Sequence, residues 1–286
     1  YIVEKGNWLK VGDEEFNSIN AASSAIQYEG TMTVIADAYV DFDQTLPNGK
    51  EIIFDLNGHT LTMTRPLVTA GAITITDSKG NGYINNIEEN AINNTGTLTL
   101  AGGTIFSEEH YAISNSGTFK MNDGNIKSYQ GIANYNTLEI NGGTVEGLSS
   151  YSLYNESSAK VNGGLITNKV TNAIYVINGT VTINGGQTES TVTDAIRVTN
   201  GYQMLGHLVV NGGEVTGKTN GIVNTSSSNT IKITGGKIEG LTQTGVNTTC
   251  GTTITGGEIT GATYGVYTTN YLTIGSDDGT VHIDSD

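Results

Sequence analysis

The sequence predicts an all-β chain folded as a parallel β-helix, a solenoid in which short strands of successive coils pair side by side. Three observations carry this prediction: a Gly-Gly doublet that recurs about every 22 residues, three short β-like segments in each repeat, and a composition rich in turn-forming and β-branched residues. The 286 residues include 39 Gly and only 2 Pro. No run of about 18 apolar residues is present, so we expect no membrane insertion.

The glycine doublets set the period. Between Gly103 and Gly279 they define eight intervals, which average 22 residues and range from 19 to 27. Such a period is typical of solenoids and predicts roughly ten coils in this chain. The full doublets are Gly102-Gly103, Gly142-Gly143, Gly163-Gly164, Gly185-Gly186, Gly212-Gly213, Gly235-Gly236 and Gly256-Gly257. Two degenerate versions, in which aspartate replaces the first glycine, are Asp123-Gly124 and Asp278-Gly279.

Each repeat contains three short segments, such as residues 91–94, 97–100 and 102–105. The middle segment alternates apolar and polar residues, as at Leu138 and Ile140, which predicts a strand with one buried and one wet face. Segments of three or four residues bury too little surface to be stable alone. Stacked coils bury a continuous core.

An asparagine column accompanies the buried apolar positions. Asparagines stacked at a buried corner can hydrogen-bond from coil to coil, so we interpret them as structural. The column consists of Asn94, Asn115, Asn134, Asn155 and Asn224.

The N-terminal region differs from the repeats. Phe16, Ile19, Ala22 and Ile26 have helical spacing, and Asp13 is the expected N-cap. We predict a strand and a capping helix over residues 1–30, which covers the open end of the coil, and one continuous β-helix domain over 31–286. No second cap is evident at the end of the sequence, so we expect the chain to be part of a longer protein.

The segment from Gly49 to Leu61 contains Asp55-Leu56-Asn57-Gly58-His59-Thr60. This DLNGHT motif resembles the opening of pectin-lyase-like right-handed β-helix domains, which occur in large secreted or wall-attached bacterial proteins. The resemblance covers nearly the whole chain and implies a right-handed, single-stranded coil and an extracellular or bacterial cell-surface location. It does not specify an activity, because the fold hosts lyases, hydrolases, adhesins and inert stalks.

Charge and composition exclude several function classes. The net charge of −15 argues against a nucleic-acid partner. A polysaccharide lyase needs a basic residue near a carboxylate cluster, but the two arginines, Arg65 and Arg197, have no such surroundings in the sequence. The motifs of polygalacturonase-type hydrolases, which need paired carboxylates, are also absent, and we interpret Asp277-Asp278 as turn acids.

The remaining reactive residues are isolated from possible catalytic partners. His59 belongs to the resemblance motif, and His207 has no evident Ser, Cys or acid partner. We interpret Glu108-Glu109-His110 as a solvated loop and the single cysteine, Cys250, as a residue that fills a gap. The sequence therefore predicts no catalytic residue, no metal site and no cofactor.

A tyrosine-rich surface is the better functional candidate. Tyr154, Tyr175 and Arg197 occupy the outward position after the core residue on consecutive coils, with Tyr267 further along, and a second column contains Tyr151. Aromatic rings stack on sugars and their hydroxyls add hydrogen bonds. Cross-coil stacking that only stabilises the solenoid remains an alternative interpretation of these tyrosines.

The favoured hypothesis is a non-enzymatic surface module, a stalk or adhesin, that binds a glycan or a host surface protein. We expect a monomer. A polysaccharide-active lyase or glycoside hydrolase is the alternative, and a trimeric fibre module is a third.

Overall fold

The computed structural model describes residues 6–201, 204–275 and 280–285. It confirms the all-β parallel solenoid, with about 11 turns, a period of about 22 residues and a single short helix. Each coil contributes three strands, which stack on those of its neighbours into three faces. The Asp277-Asp278 pair and the last glycine of the repeat, Gly279, lie outside the described residues.

The first face is an 11-stranded sheet. Its strands are Gln44–Leu46, Leu67–Thr69, Ile92–Asn94, Tyr111–Asn115, Gln130–Asn134, Leu153–Asn155, Ile174–Val176, Ile196–Val198, Ile222–Asn224, Thr244–Thr248 and Tyr264–Thr268.

The second and third faces meet at the glycine corner. The second face contains Glu29–Val34, Glu51–Asp55, Ala72–Thr76, Thr97–Leu100, Thr118–Met121, Thr137–Ile140, Ser158–Val161, Gly179–Ile183, Gly206–Val210 and Leu272–Ile274. The third face contains Ala38–Val40, Thr60–Met63, Tyr83–Asn86, Thr104–Ser107, Asn125–Ser128, Thr144–Gly147, Leu165–Asn168, Gln187–Ser190, Glu214–Gly217 and Val281–Ser285. Two longer strands, Thr230–Gly240 and Gly251–Gly261, run through this corner and belong to both faces.

The parallel register places equivalent residues of successive coils next to one another. On the first face, Ile92 pairs with Ile113, and Ile113 pairs with Ile132. All three side chains are fully buried. Since burial of one such side chain contributes about 1.5–3 kcal/mol, columns of this kind along each face supply the core that single coils lack.

The glycine corner depends on both residues of the doublet. Gly164 has φ +80°, a left-handed conformation that residues with a Cβ rarely adopt. A Cβ on Gly163 would clash with the carbonyl oxygen of Asn141 on the preceding coil. The doublet therefore lets the chain turn sharply while adjacent coils stay at strand spacing.

The N-terminus forms a cap of a hairpin and a helix. Leu9–Val11 pairs antiparallel with Glu14–Phe16 and also with the first coil strand, Glu29–Val34, so its backbone occupies an otherwise open sheet edge. The helix, Ile19–Ala25, packs against the hairpin and against Gln44–Leu46.

The prediction that Asp13 is the N-cap of the helix is wrong. Asp13 lies in the tight turn of the hairpin, because the pairing places Glu14–Phe16 in a strand instead of a first helical turn. Ser18 is the N-cap, and its side chain accepts a hydrogen bond from the Ala21 backbone at 3.2 Å. At the other end of the helix, the Lys50 ammonium donates to the carbonyl oxygens of Ser23 and Ile26.

Candidate functional site

The outward side chains of the first face form a column along the solenoid. The register pairs Ala133 with Tyr154, Tyr154 with Tyr175, and Tyr175 with Arg197. These residues alternate with buried neighbours such as Leu153, so they point away from the core. Together with rings from the neighbouring column and the adjoining corner, they form a surface that we call the tyrosine patch, composed of Tyr111, Tyr135, Tyr151, Tyr154, Tyr175 and Arg197.

The rings of the patch stack on one another. The ring centroids of Tyr151 and Tyr175 are 4.2 Å apart with an interplanar angle of 14°, and those of Tyr154 and Tyr175 are 6.0 Å apart at 13°. Tyr135 meets Tyr154 edge-on at 6.5 Å and 62°. Such pairs contribute about 0.5–1.5 kcal/mol each beyond their burial. Because stacked neighbours occupy ring faces, the half-buried rings offer mainly edges and hydroxyls to a ligand.

Two hydroxyls of the patch, those of Tyr154 and Tyr111, have pKa values raised above the ordinary value of tyrosine. The Tyr154 hydroxyl donates to the Glu156 carboxylate at 2.6 Å. Burial raises the pKa of the Tyr154 hydroxyl, and the hydrogen bond to Glu156 raises it further. Burial, assisted by the nearby Tyr135 and Glu156, raises the pKa of Tyr111 to about 12.

Arg197 adds a cation at the edge of the patch. Its guanidinium lies 3.8 Å from the carboxylate of Asp194, which is almost fully buried. The Asn220 side chain donates to the same carboxylate at 2.7 Å. Asp194 and Asn220 belong to the second column, the one that contains Tyr111 and Tyr151. Along the solenoid this second column therefore changes from tyrosines to buried polar residues, which hydrogen-bond within the protein.

Tyr267 lies apart from the other four predicted ligand-binding residues. It is four coil steps beyond Tyr175, or roughly 19 Å at the usual strand spacing. Its ring is 5.8 Å from that of Tyr264 and tilted by 37°, and both rings are exposed. The two tyrosines border an open cavity of about 340 Å³ with Gln243 and Asn247.

The predicted asparagine column forms a buried chain of hydrogen bonds, which we call the inner ladder: Asn94, Asn115, Asn134 and Asn155. Each Nδ2 donates to the Oδ1 of the next asparagine, at 2.7, 2.8 and 2.8 Å. The same amides donate to backbone carbonyls, such as that of Ser158, on the following coil. Asn224 departs from this pattern, because Val198 and Thr248 are its column neighbours, and it bonds within its own turn.

The structure contains a second asparagine ladder that the repeat pattern of the buried column does not predict. It lies on the outside of the glycine corner, and we call it the outer ladder: Asn122, Asn141, Asn162, Asn184 and Asn211. Each Nδ2 donates to the Oδ1 of the preceding asparagine at 2.7–2.9 Å. The signal was present in the sequence, because an asparagine precedes the glycine doublet in four successive repeats.

His59, His207 and Arg65 each contact a polar or acidic side chain of the adjacent coil. His59 lies 3.2 Å from the Asp37 carboxylate, and His207 is hydrogen-bonded to the Thr230 hydroxyl at 2.8 Å. Arg65 forms an ion pair with Glu89 at 3.3 Å. None of these contacts joins a histidine or arginine to the tyrosine patch.

Glu108-Glu109-His110 is exposed in an irregular segment after a strand of the third face. Cys250 is fully buried, with its sulfur 3.2 Å from the Thr248 hydroxyl. Within residues 6–201, 204–275 and 280–285, no three His, Cys, Asp or Glu side chains are grouped to hold a metal ion.

Among the described residues, the tyrosine patch is thus the largest aromatic cluster that the coil register assembles. No protein-family model, curated protein or solved structure matches the chain. Among the described residues, no helix has the length and apolar character of a membrane span.

Proposed function

We propose that this chain is a non-enzymatic module of an extracellular bacterial surface protein, and that its tyrosine patch binds a glycan. The DLNGHT motif supports the setting through its resemblance to pectin-lyase-like proteins of the bacterial surface. The observation that carries the binding proposal is the assembly of Tyr151, Tyr154, Tyr175 and Arg197 on one rigid face.

The chemistry of the patch suits a polyhydroxylated ligand. Tyrosine hydroxyls, the Glu156 carboxylate and the Arg197 guanidinium offer donors and acceptors side by side. Stacked rings on paired strands have little rotamer freedom left to lose, so binding costs little side-chain entropy. Tyr135, which is 42% exposed, is the ring most open to contact with a sugar.

The charge of the site favours a neutral glycan over an acidic one. Arg197 is already beside Asp194, and Glu156 adds a second carboxylate to the same surface. The whole chain carries a net charge of −15, which repels uronates and sulfated sugars at low salt.

A glycan array probed with the wild type and with Tyr154→Phe/Tyr175→Phe tests the proposal. Phenylalanine keeps the ring stack and removes two hydroxyls, so we expect binding to neutral glycans to weaken roughly tenfold or more. Tyr271→Phe is the matched control, since Tyr271 is 85% exposed and outside the patch. Unchanged binding by Tyr154→Ala/Tyr175→Ala, or no binding by the wild type, would contradict the proposal.

A second candidate function is a polysaccharide-active enzyme, and one observation favours it. Glu29 and Glu51 pair in register on adjacent coils and line a cavity of about 610 Å³ together with the exposed Tyr28. Glycoside hydrolases use a pair of carboxyl groups that face the bound sugar, and these two carboxylates line one cavity. Incubation with pectins, alginates and glycosaminoglycans tests this candidate. Reducing or unsaturated ends released by the wild type but not by Glu51→Gln would support it over the binding module.

A further inference from the structure

Ten Asn-Gly steps occur in the chain, and they are chemically labile sequences. The glycine nitrogen can attack the side-chain amide of the preceding asparagine, because glycine has no Cβ to hinder its approach. We propose that Asn48 is a self-modification site, and that the outer ladder protects the same dipeptide elsewhere. The steps begin at Asn48, Asn57, Asn81, Asn141, Asn162, Asn178, Asn184, Asn200, Asn211 and Asn220.

Asn48 is held in a reactive arrangement. It is exposed in the turn that connects Gln44–Leu46 with Glu51–Asp55. The Gly49 backbone nitrogen is 2.7 Å from the Asn48 Oδ1, so the nucleophile lies directly beside the amide carbon that it attacks. No atom lies within 4 Å of the position that a Gly49 Cβ would occupy, which leaves room for the side chain and the glycine nitrogen to close a five-membered ring.

Asn162 has the same dipeptide but a locked side chain. Its Nδ2 donates to the Oδ1 of Asn141 at 2.8 Å, and its Oδ1 accepts from Asn184 at 2.7 Å. The Gly163 nitrogen donates to the Ile140 carbonyl at 3.3 Å and is therefore turned toward another acceptor. The Asn162 Nδ2 also donates to the Glu139 carboxylate at 3.0 Å, so four hydrogen bonds restrain the side chain and the glycine nitrogen against cyclisation.

The other central members of the ladder share these restraints. Gly185 and Gly212 donate to the backbone carbonyls of Val161 and Ile183, each at 3.3 Å. Asn184 and Asn211 keep their amides within the ladder. The repeat thus gives the glycine nitrogens and the asparagine amides of these labile dipeptides other hydrogen-bond partners.

The reaction is balanced with water as the only co-reactant. The Gly49 nitrogen forms a bond to the Asn48 Cγ, the bond from Cγ to Nδ2 breaks, and the side-chain nitrogen leaves as ammonia with the glycine amide proton. Water then adds to either carbonyl of the cyclic imide and opens the ring. The product is aspartate or isoaspartate at position 48, and no atom changes its oxidation state.

The product adds a negative charge beside two carboxylates and close to the capping helix. Asn48 lies on the rim of the cavity that Glu29 and Glu51 line, and it is two residues from Lys50, which binds the end of the capping helix. The modification therefore occurs where the N-terminal cap meets the first coils.

Peptide mass spectrometry of the folded chain tests the proposal. The full chain is held at mildly alkaline pH in oxygen-18-labelled water, and peptides from a digest at mildly acidic pH are scored for the label. We expect Asn48 to take up label first, roughly tenfold or more faster than Asn162, Asn184 and Asn211. In concentrated urea these positions should react at similar rates, because only the dipeptide then remains.

Asn48→Gln is the control variant, since glutamine would need a six-membered ring and should remove the earliest labelled peptide. A folded chain in which any other Asn-Gly step reacts before Asn48 would overturn the proposal. Equal rates at Asn48 and Asn162 in the folded chain would overturn the protective role of the outer ladder.

Discussion

The inner and outer ladders use the same side chain in two different environments. The inner ladder is completely buried at the corner between the first and second faces, whereas the outer ladder lies in contact with water outside the glycine corner. Inner amides also bind backbone carbonyls such as that of Thr137, while most outer bonds join amide to amide. The two ladders overlap for three coils, and the outer one continues where Val176 and Val198 replace the inner asparagines.

The same residue type can therefore contribute differently to the free energy of unfolding at its buried and its exposed positions. A buried amide must satisfy all its donors and acceptors, because water cannot replace a lost partner. An exposed amide exchanges its partner for water at little cost. We therefore expect the inner ladder to govern the free energy of unfolding and the outer ladder to govern local chemistry at the corner.

The largest expected effect is from Asn134→Ala. The substitution leaves the Asn155 Oδ1 and the carbonyls of Asn136 and Ser158 without the Asn134 amide and opens a small cavity. We expect a loss of about 4 kcal/mol in the free energy of unfolding, measured by urea denaturation. A loss under about 1 kcal/mol would show that the inner ladder is energetically equivalent to the outer one.

Gly164→Ala breaks the corner that supports the outer ladder. Alanine there would keep φ near +80°, and its Cβ would lie 2.7 Å from the Gly143 carbonyl oxygen. We expect a loss of about 3 kcal/mol, from the backbone conformation and the displaced coil. Gly251→Ala is the matched control, since a Cβ at Gly251 has no atom within 4 Å.

Asn162→Ala removes a central member of the outer ladder. Water can solvate the amides of Asn141 and Asn184 after the substitution, so the free energy of unfolding should fall by about 1 kcal/mol or less. Denaturation of this variant beside Asn134→Ala gives a direct comparison of the two ladders. A loss as large as that of Asn134→Ala would contradict the distinction by environment.

The smallest expected effect is that of an ion pair at the surface. Unlike the amide ladders, this pair titrates, so its contribution to the free energy of unfolding depends on pH. On the third face, hydrogen bonding from Lys169, with help from Lys127, holds the pKa of Glu146 below its ordinary value of 4.5. The folded state therefore binds this proton less readily than the unfolded state, and the stabilisation is present above pH 4.5 and lost as the pH falls through the lowered pKa.

Glu146→Gln should thus reduce the free energy of unfolding at pH 7 by less than Asn162→Ala does, and the difference from wild type should shrink at pH 3. Urea denaturation at both pH values provides the measurement, with the exposed Glu109→Gln as control. A difference that grows as the pH falls would contradict the assignment.

Much of the fold could be predicted because the solenoid repeats its constraints. The glycine doublets predicted the period, and the alternation at Leu138 and Ile140 predicted which side chains are buried. The helix start could not be fixed in this way. Asp13 and Ser18 are both good N-caps, and only the pairing of Glu14–Phe16 with an earlier strand decides between them.

The candidate site was predictable only in part. The column of Tyr154, Tyr175 and Arg197 follows from the repeat alone. The closest ring pair, Tyr151 with Tyr175, joins different columns, so it depends on rotamers that a period does not specify. Tyr267 shares the column but not the cluster, because Val223 and Asn247 occupy the coils between.

The opposite donor directions of the two ladders bear on how long such a solenoid can grow. Inner amides donate toward the C-terminal coils and outer amides toward the N-terminal coils. Aligned amide dipoles add along an axis, as they do in a helix. Two antiparallel rows offset each other wherever they run together, so coils can be added there without accumulating an electrical polarity from end to end.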